Sequence, residues 1–114
     1  MDDHLTAWTV QVRKGLLEVL VLNALRSAGE AYGYDLVRSL AGHPGGDLGE
    51  GTLYPLLSRL RLQGLVATRL VESDAGPARK YYRLTPAGEH TLDAMNDHLD
   101  TVLAGWKRLR ARRS

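Results

Sequence analysis

The chain has 114 residues, of which 44% are apolar and 25% charged, values that are ordinary for one small globular domain with a modest core. It has no cysteine, which excludes disulfides and thiolate metal sites. No apolar run approaches the roughly 20 residues of a membrane-spanning helix, and the N-terminus lacks the hydrophobic centre of a cleavable signal. We therefore expect a cytoplasmic protein with no membrane partner.

The first part of the chain predicts two helical segments. Apolar residues recur at helical spacing in residues 5–12, which indicates either a frayed leader or an arm that packs on a partner subunit through Trp8. Residues 14–27 predict a helix that is apolar on most sides and therefore buried, with a structural role. Residues 28–31, AGEA, should break this helix.

A further helix is predicted at residues 33–40, GYDLVRSL, with Leu36, Val37 and Leu40 facing inward. Its N-terminus presents Tyr34, which is equally consistent with a phosphate contact and with a half-buried packing residue. The glycines and proline of residues 41–47 then predict a flexible loop.

The most informative stretch follows this loop. Four leucines at helical spacing predict a helix from about Gly49 or Thr52 to Gln63, ended by Gly64 in a left-handed cap. The other face of this helix carries short hydroxyls, an aromatic ring and a cation, which suit contacts with phosphates and base edges. Its residues are Thr52, Tyr54, Pro55, Ser58, Arg59 and Leu62.

Two runs rich in Val, Thr, Leu and Tyr, at residues 65–72 and 80–84, predict a β-hairpin whose turn is formed by residues 73–78. Its second arm carries three cations, Arg79, Lys80 and Arg83. A helix followed by a basic hairpin is typical of a winged helix-turn-helix, in which the helix enters the major groove of DNA and the hairpin reaches the neighbouring backbone. The predicted fold class is therefore mainly α with a small β-hairpin.

The last part of the chain predicts one long helix, with Thr85 as N-cap and Pro86 at its first position. Apolar residues then recur at alternating spacings of three and four, a heptad pattern that favours an interface between helices. They are Leu92, Met95, Leu99, Val102, Trp106 and Leu109. So small a domain cannot bury this surface alone, so we expect a homodimer, whose two-fold symmetry also suits a palindromic DNA operator.

Other charged clusters are weaker signals. The five cations of residues 106–114 are consistent with added non-specific affinity for DNA or with a soluble helix end that favours the helix dipole. His90, Asp93 and Asp97 share a face of the long helix, where we expect a solvated surface and no metal or other cofactor. No paired carboxylates, activated nucleophile or phosphate-cradling loop stands at a useful spacing, so we expect no enzyme.

Together these segments resemble the PadR family of winged-helix transcriptional regulators over about residues 14–95. The matching motifs are RKGLLEVLVLNAL, AYGYDL, GTLYPLLSRLRLQGLV and GPARKYYRLTPAG. The resemblance implies a dimer whose C-terminal helix makes most of the contact between subunits. Members of the family typically repress transcription, and some release DNA when small aromatic compounds bind, so a small aromatic effector is a further expected partner.

The resemblance also implies roles for single residues. The DNA-facing motifs of the family are matched by Tyr34, Thr52, Tyr54 and Pro55, and the basic pair of its wing by Arg79 and Lys80. Two positions depart from the pattern. Gly49 stands where a small polar N-cap is common, and Leu99 stands where many short members carry the Trp that lines the ligand cleft of multidrug-binding relatives. Trp106 lies one heptad further on, where we expect packing.

We therefore expect a dimeric DNA-binding repressor, with a DNA-binding domain at residues 1–84 and a dimerisation helix with a basic tail at residues 85–114. The expected phosphate contacts are Tyr34, Thr52, Tyr54, Arg79 and Lys80. Base contacts are expected from Ser58 and Arg59, with Arg61 and Arg69 as secondary contributors. The alternative is a winged helix that binds a protein or senses a ligand without DNA. The two hypotheses differ in a property that the structure can show. DNA binding requires Arg59, Arg79 and Lys80 to lie on one surface without acidic partners.

Overall fold

A computed structural model describes residues 3–43 and 49–112 of the chain. Its elements are α1 (Asp3–Ala28), β1 (Ala31–Tyr32), α2 (Gly33–Leu40), α3 (Glu50–Leu62), β2 (Val66–Ser73), β3 (Gly76–Leu84) and α4 (Pro86–Ala111). The strands form one antiparallel sheet in which β3 lies between β1 and β2. The predicted fold class, a mainly helical winged helix with a long C-terminal helix, is confirmed. Most of the predicted loop at residues 41–47 lies outside the described residues.

The core lies where the second half of α1 meets α2, α3, the base of the sheet and the start of α4. Leucines dominate it, and no polar or charged side chain among the described residues is buried in it. The fully buried large side chains are Val21, Leu22, Leu25, Leu36, Leu53, Leu57, Leu60, Val66 and Leu92. Leu92 belongs to α4, so the head of the molecule and the start of the long helix share one core.

The two helical segments predicted before residue 28 form one continuous helix, α1. Its second half is buried as predicted, whereas the apolar side chains of its first turns, including Leu5 and Trp8, are exposed. The predicted break at residues 28–31 is shorter than expected, because Ala31 begins strand β1. This strand of two residues was not predicted. It forms only by pairing with Tyr81 and Tyr82 of β3, some 50 residues further along the chain.

The bounds of α3 agree with the prediction at both ends. Its N-cap, Gly49, makes no side-chain hydrogen bond, and the helix forms without one. At the other end Gly64 has a φ of 78°, and its N–H donates to the carbonyl of Arg61 at 3.0 Å. The N–H of Leu65 donates to the carbonyl of Leu60 at 3.0 Å, which completes a Schellman motif. The chain leaves α3 in a fixed direction toward the hairpin.

The hairpin is longer than predicted, because its turn consists of Asp74 and Ala75 alone and not of residues 73–78. Residues 76–78 instead begin β3. An irregular register between Val71 and Ser73 allows this, since two residues of β3 oppose one of β2 there. Such a bulge tolerates Pro77, which has no N–H to give to the ladder.

Polar contacts made by Thr85, by an asparagine pair and by Arg26 attach α4 to the rest of the chain. Thr85 is its N-cap, as predicted: its hydroxyl accepts from the N–H of Gly88 at 2.9 Å and donates to the carbonyl of Gly64 at 2.6 Å. The side-chain amides of Asn23 in α1 and Asn96 in α4 exchange two hydrogen bonds of 3.0 Å. Arg26 pairs with two carboxylates of α4, those of Glu89 and Asp93. Among the described helices, none is long and apolar enough to cross a membrane.

Candidate nucleic-acid interface

The outward face of α3 is open to solvent and carries most of the polar side chains of this helix. Leu53, Leu56, Leu57 and Leu60 are buried against the head, which turns the opposite side of the helix outward. The exposed residues of α3 include Thr52, Pro55, Ser58, Arg59 and Leu62, five of the six residues predicted for this face. The helix therefore presents hydroxyls and a guanidinium on a rigid, well-anchored surface.

Tyr54, the sixth residue of the predicted face, is half-buried between α3 and α2. Its ring lies against Gly33, where an added Cβ would come within 2.6 Å of a ring carbon. A side chain at residue 33 would therefore displace the Tyr54 ring from its place against α2. Burial raises the pKa of the Tyr54 phenol above its ordinary value of 10.0, so the hydroxyl stays protonated at neutral pH. The observed contacts of Tyr54 are thus packing contacts.

Tyr34 lies in the first turn of α2 and is exposed. The guanidinium carbon of Arg38 lies 6.0 Å from the centre of its ring, the outer limit of a cation–π contact. Of the two interpretations of Tyr34, its exposure favours a contact surface over a packing residue.

A groove of about 640 Å³ runs between α1 and the outward face of α3. Arg59 borders it, and its Nη2 atom lies 3.8 Å from Oε2 of Glu18 in α1. Lys14, one turn before Glu18, also lines the groove. The sequence pattern of residues 14–27 predicted only a structural role for this segment, so neither Lys14 nor Glu18 was a predicted contact. The available signal was their spacing, because polar residues four apart form a stripe on an otherwise apolar helix.

The cations of the hairpin lie on two faces, because side chains alternate along a strand. Arg79 and Arg83 share the face of Tyr81 and Tyr32, and the Arg79 guanidinium carbon lies 5.0 Å from the centre of the Tyr32 ring. Lys80 is on the opposite face, which continues into the core through Tyr82. The second arm of the hairpin therefore presents Lys80 on the face toward the head and Arg79 and Arg83 on the face away from it.

Arg69, expected as a secondary contact to DNA, is already engaged. Its Nε and Nη2 atoms donate to the two carboxylate oxygens of Glu30, both at 2.6 Å. This bidentate hydrogen bond lowers the pKa of Glu30 below its ordinary value of 4.5. The pair clamps the hairpin to the turn after α1. Arg61 is exposed on the flank of α3 near Tyr82, away from the outward face.

The residues predicted for a dimer interface differ in how deeply the single chain buries them. Leu92 is fully buried in the core of the single chain, which leaves it no surface for a partner and corrects its assignment. Met95 and Leu99 are half-buried at the edge of the core. The remaining predicted residues are exposed: Trp8 of α1 at 55%, and Val102, Trp106 and Leu109 of α4 at 49%, 48% and 70%. Leu103, also exposed, was not predicted.

The helix–hairpin arrangement and its exposed face define a winged-helix protein, and comparison with known proteins identifies the family. The family model "Transcriptional regulator PadR-like family" matches residues 21–94. A PadR family transcriptional regulator from Eggerthella lenta has a similar crystal structure, with a TM-score of 0.86 and 38% identity over 98% of this chain and 96% of that one. A PadR-like transcriptional regulator from Bacillus cereus gives a TM-score of 0.79 and 34% identity over 90% and 99%.

Among curated proteins, the transcriptional regulator Rv3488 of Mycobacterium tuberculosis is 43% identical over 63 residues. The match covers 55% of this chain and 57% of that protein, so it spans less than two thirds of the relative's length. The chain belongs to the PadR-like family of transcriptional regulators. The proteins it resembles are transcriptional regulators and not enzymes.

Proposed function

We propose that the protein is a dimeric, sequence-specific DNA-binding repressor that acts in the cytoplasm. The observation that carries this proposal is the outward face of α3, which is open to solvent, presents Thr52, Ser58 and Arg59, and is followed by a projecting hairpin. An α-helix of this kind fits the major groove, where base edges differ in their donors and acceptors. The hairpin then reaches the neighbouring backbone.

The residues divide into base contacts and phosphate contacts. Arg59 and Ser58 lie on the exposed face of α3 and are the proposed base contacts, with Arg59 suited to the two acceptors of guanine. The proposed phosphate contacts are Tyr34, Thr52, Arg79 and Lys80. Tyr54, which packs on Gly33, contributes by fixing the position of α3 on α2.

The alternative, a winged helix that binds a protein or a ligand without DNA, is favoured by the placement of Arg79 and Lys80 on opposite faces of the hairpin, whereas the ion pairs give it limited support. Neither Arg79 nor Lys80 forms an ion pair with another described residue. Arg59 has one partner at 3.8 Å, and an exposed pair of this kind contributes only about 0–1 kcal/mol. This weak pair therefore leaves the guanidinium able to contact DNA.

The proposal is tested by titrating the purified protein with the DNA upstream of its own gene at two salt concentrations. Each titration is repeated with an excess of unrelated DNA. We expect tight binding that survives the competitor and depends on a palindrome. Weak binding that the competitor removes, with a steep dependence on salt, would contradict sequence-specific recognition and favour the alternative.

The dimer is proposed from the exposed apolar side chains of α4 and α1. Val102, Leu103, Trp106 and Leu109 form a stripe at heptad spacing, and Trp8 adds a further exposed ring at the start of α1. A patch of this kind marks an interface, which a second copy of the chain covers by two-fold symmetry.

Light scattering of a Val102→Glu variant tests the dimer. We expect a monomer with much weaker operator binding, because one subunit reaches one half-site. Thr101→Glu, which adds the same charge on the exposed polar side of α4, is the matched control and should remain a dimer. A Val102→Glu protein that stays dimeric would contradict the assignment of this stripe.

Relief by a small aromatic compound is proposed for the same region. Trp106 is exposed on the stripe, with the guanidinium carbon of Arg110 at 5.3 Å from its ring centre. Two such rings in a dimer offer stacking surfaces to a planar molecule. Planar bicyclic aromatic compounds should then quench Trp106 fluorescence in a Trp8→Phe background and release the operator. Quenching without release would contradict the regulatory role.

A further inference from the structure

Glu18 occupies an unexpected place for an acidic residue in a protein that binds DNA. It lies in the groove between α1 and the outward face of α3, beside the residue that we propose as the base contact, Arg59. Of the described residues that line this groove, Glu18 alone is acidic. A carboxylate on such a surface repels the phosphates of DNA, so it lowers affinity unless it serves another purpose.

We propose that Glu18 determines specificity: it holds Arg59 for base reading and penalises the use of Arg59 on a phosphate. This inference rests on the proposed function. The Nη2 atom of Arg59 faces Glu18 at 3.8 Å, and the two side chains are 58% and 33% exposed. This is one contact and it is long, so it orients the guanidinium without using up its N–H donors.

A guanidinium can contact Glu18 and a DNA base at the same time. An arginine has five N–H donors in a planar fork. One edge can face Glu18 while two other N–H groups donate to O6 and N7 of a guanine, which are neutral acceptors. A phosphate oxygen in the same place would bring a negative charge close to the Glu18 carboxylate. The repulsion therefore weakens phosphate binding more than guanine binding, and such a difference is what specificity requires.

The other arginine–glutamate pair of the head shows what a fully engaged guanidinium looks like. Arg69 gives two hydrogen bonds of 2.6 Å to the two oxygens of Glu30. Both of these N–H donors of the Arg69 guanidinium are therefore used on that one carboxylate. Arg59 differs in having one contact 1.2 Å longer than those bonds and in facing a groove of about 640 Å³. The two pairs therefore suit different tasks, clamping and orienting.

The test is a Glu18→Gln substitution in the full chain, with affinities measured on the operator, on operators changed one base pair at a time, and on unrelated DNA. We expect Glu18→Gln to bind unrelated DNA several-fold more tightly and to lower the operator-to-unrelated ratio about tenfold. The lost discrimination should fall on the base pair at which Arg59→Ala also loses it. A merely structural role for Glu18 would not produce this positional pattern.

Two further variants separate this role from a general effect of charge. Asp100→Asn removes the same charge from an exposed position of α4, and it should leave discrimination at every base pair unchanged. In the Glu18→Gln/Arg59→Ala double variant, discrimination should equal that of Arg59→Ala alone, because the two residues act as one unit. Thermal melting followed by circular dichroism establishes that all variants fold.

An unchanged operator-to-unrelated ratio in Glu18→Gln, with a wild-type protein that does discriminate, would overturn this inference alone. So would a loss spread evenly over all base pairs, which would show a general electrostatic effect. A wild-type protein that binds every DNA equally would overturn the proposed function, and this inference with it.

Discussion

The two elements proposed to meet DNA, helix α3 and the β2–β3 hairpin, are held by the head in different ways. Four buried leucines anchor α3 along its whole length, from Leu53 to Leu60. The hairpin is anchored only near its base, where Val66 and Tyr82 are buried, while most of its outer half is exposed. The arginines of the two elements also differ, since Arg69 of the hairpin gives two hydrogen bonds to Glu30, whereas Arg59 of α3 has one longer contact, with Glu18.

This difference indicates a division of labour. An element that reads bases must be positioned to a fraction of an ångström, because a bidentate contact depends on geometry. An element that touches phosphates tolerates more movement, since the electrostatic attraction acts over a longer range. The rigid helix therefore suits base reading and the projecting hairpin suits the backbone.

The largest expected effect is on the free energy of unfolding, and it tests how α3 and the hairpin are anchored to the head. Leu57→Ala should lower the free energy of unfolding by about 2–5 kcal/mol, because it leaves a cavity beneath α3. Leu70→Ala on the hairpin is the matched comparison. Its side chain is 68% exposed, so the loss should stay within about 0.5 kcal/mol. Denaturant unfolding measures both, and equal losses would contradict the difference in anchoring.

The next effect concerns base reading by α3. Arg59→Ala should weaken operator binding by about 1–3 kcal/mol, with the loss depending on the base that Arg59 faces. Fluorescence anisotropy on the operator and on a scrambled duplex measures this. Equal losses on the two DNAs would refute the assignment of Arg59 to base reading.

A smaller effect is expected at the hairpin. Lys80→Ala should weaken binding about equally on all sequences and lower the slope of log affinity against log salt by about one. Arg79→Ala provides the comparison, because Arg79 lies on the other face and contacts the ring of Tyr32. We expect Arg79→Ala to lower the slope less. The reverse order would mean that the outer face of the hairpin meets the backbone.

The smallest effect concerns the clamp between Glu30 and Arg69. Because the hydrogen bond from Arg69 lowers the pKa of Glu30 below 4.5, the folded protein favours the carboxylate. The stabilisation is therefore complete above the pKa of the unfolded chain and is lost as the pH falls through the lower pKa of the folded state. A Glu30→Gln variant should melt below wild type at about pH 7, and the difference should shrink as the pH is lowered through and below the pKa of the folded carboxyl.

Glu72→Gln, on an exposed position of the same hairpin, is the control for this measurement and should melt as wild type does across this pH range. A difference between wild type and Glu30→Gln that persists unchanged at low pH would contradict the clamp as its cause.

Features that depend on residues close together in the sequence were predictable. The bounds of α2 and α3, the Gly64 cap and the Thr85 N-cap follow from local patterns of leucine, glycine and hydroxyl residues. The heptad pattern of α4 was also visible, but it does not show which positions pack on the chain's own head. Leu92 was therefore assigned to an interface, whereas it lies in the core.

Features that depend on distant residues were missed. Strand β1 exists because Ala31 and Tyr32 pair with β3, and two residues carry no local signal of a strand. The engagement of Arg69 depends on Glu30, 39 residues earlier in the chain. The contact between Arg59 and Glu18 likewise joins two separate helices. The missing information in each case was the packing of one element on another.

The continuity of α4 has a consequence for the spacing of the DNA target. The reciprocal amide pair of Asn23 and Asn96 fixes how α4 is rotated on the head, and the helix continues without interruption to Ala111. Trp106 lies fourteen residues after Leu92, or about 21 Å along the axis. One inserted residue between them would turn the exposed stripe by about 100°, whereas seven would nearly restore its phase. In the proposed dimer, the length of α4 in heptads thus sets the distance between the two operator half-sites.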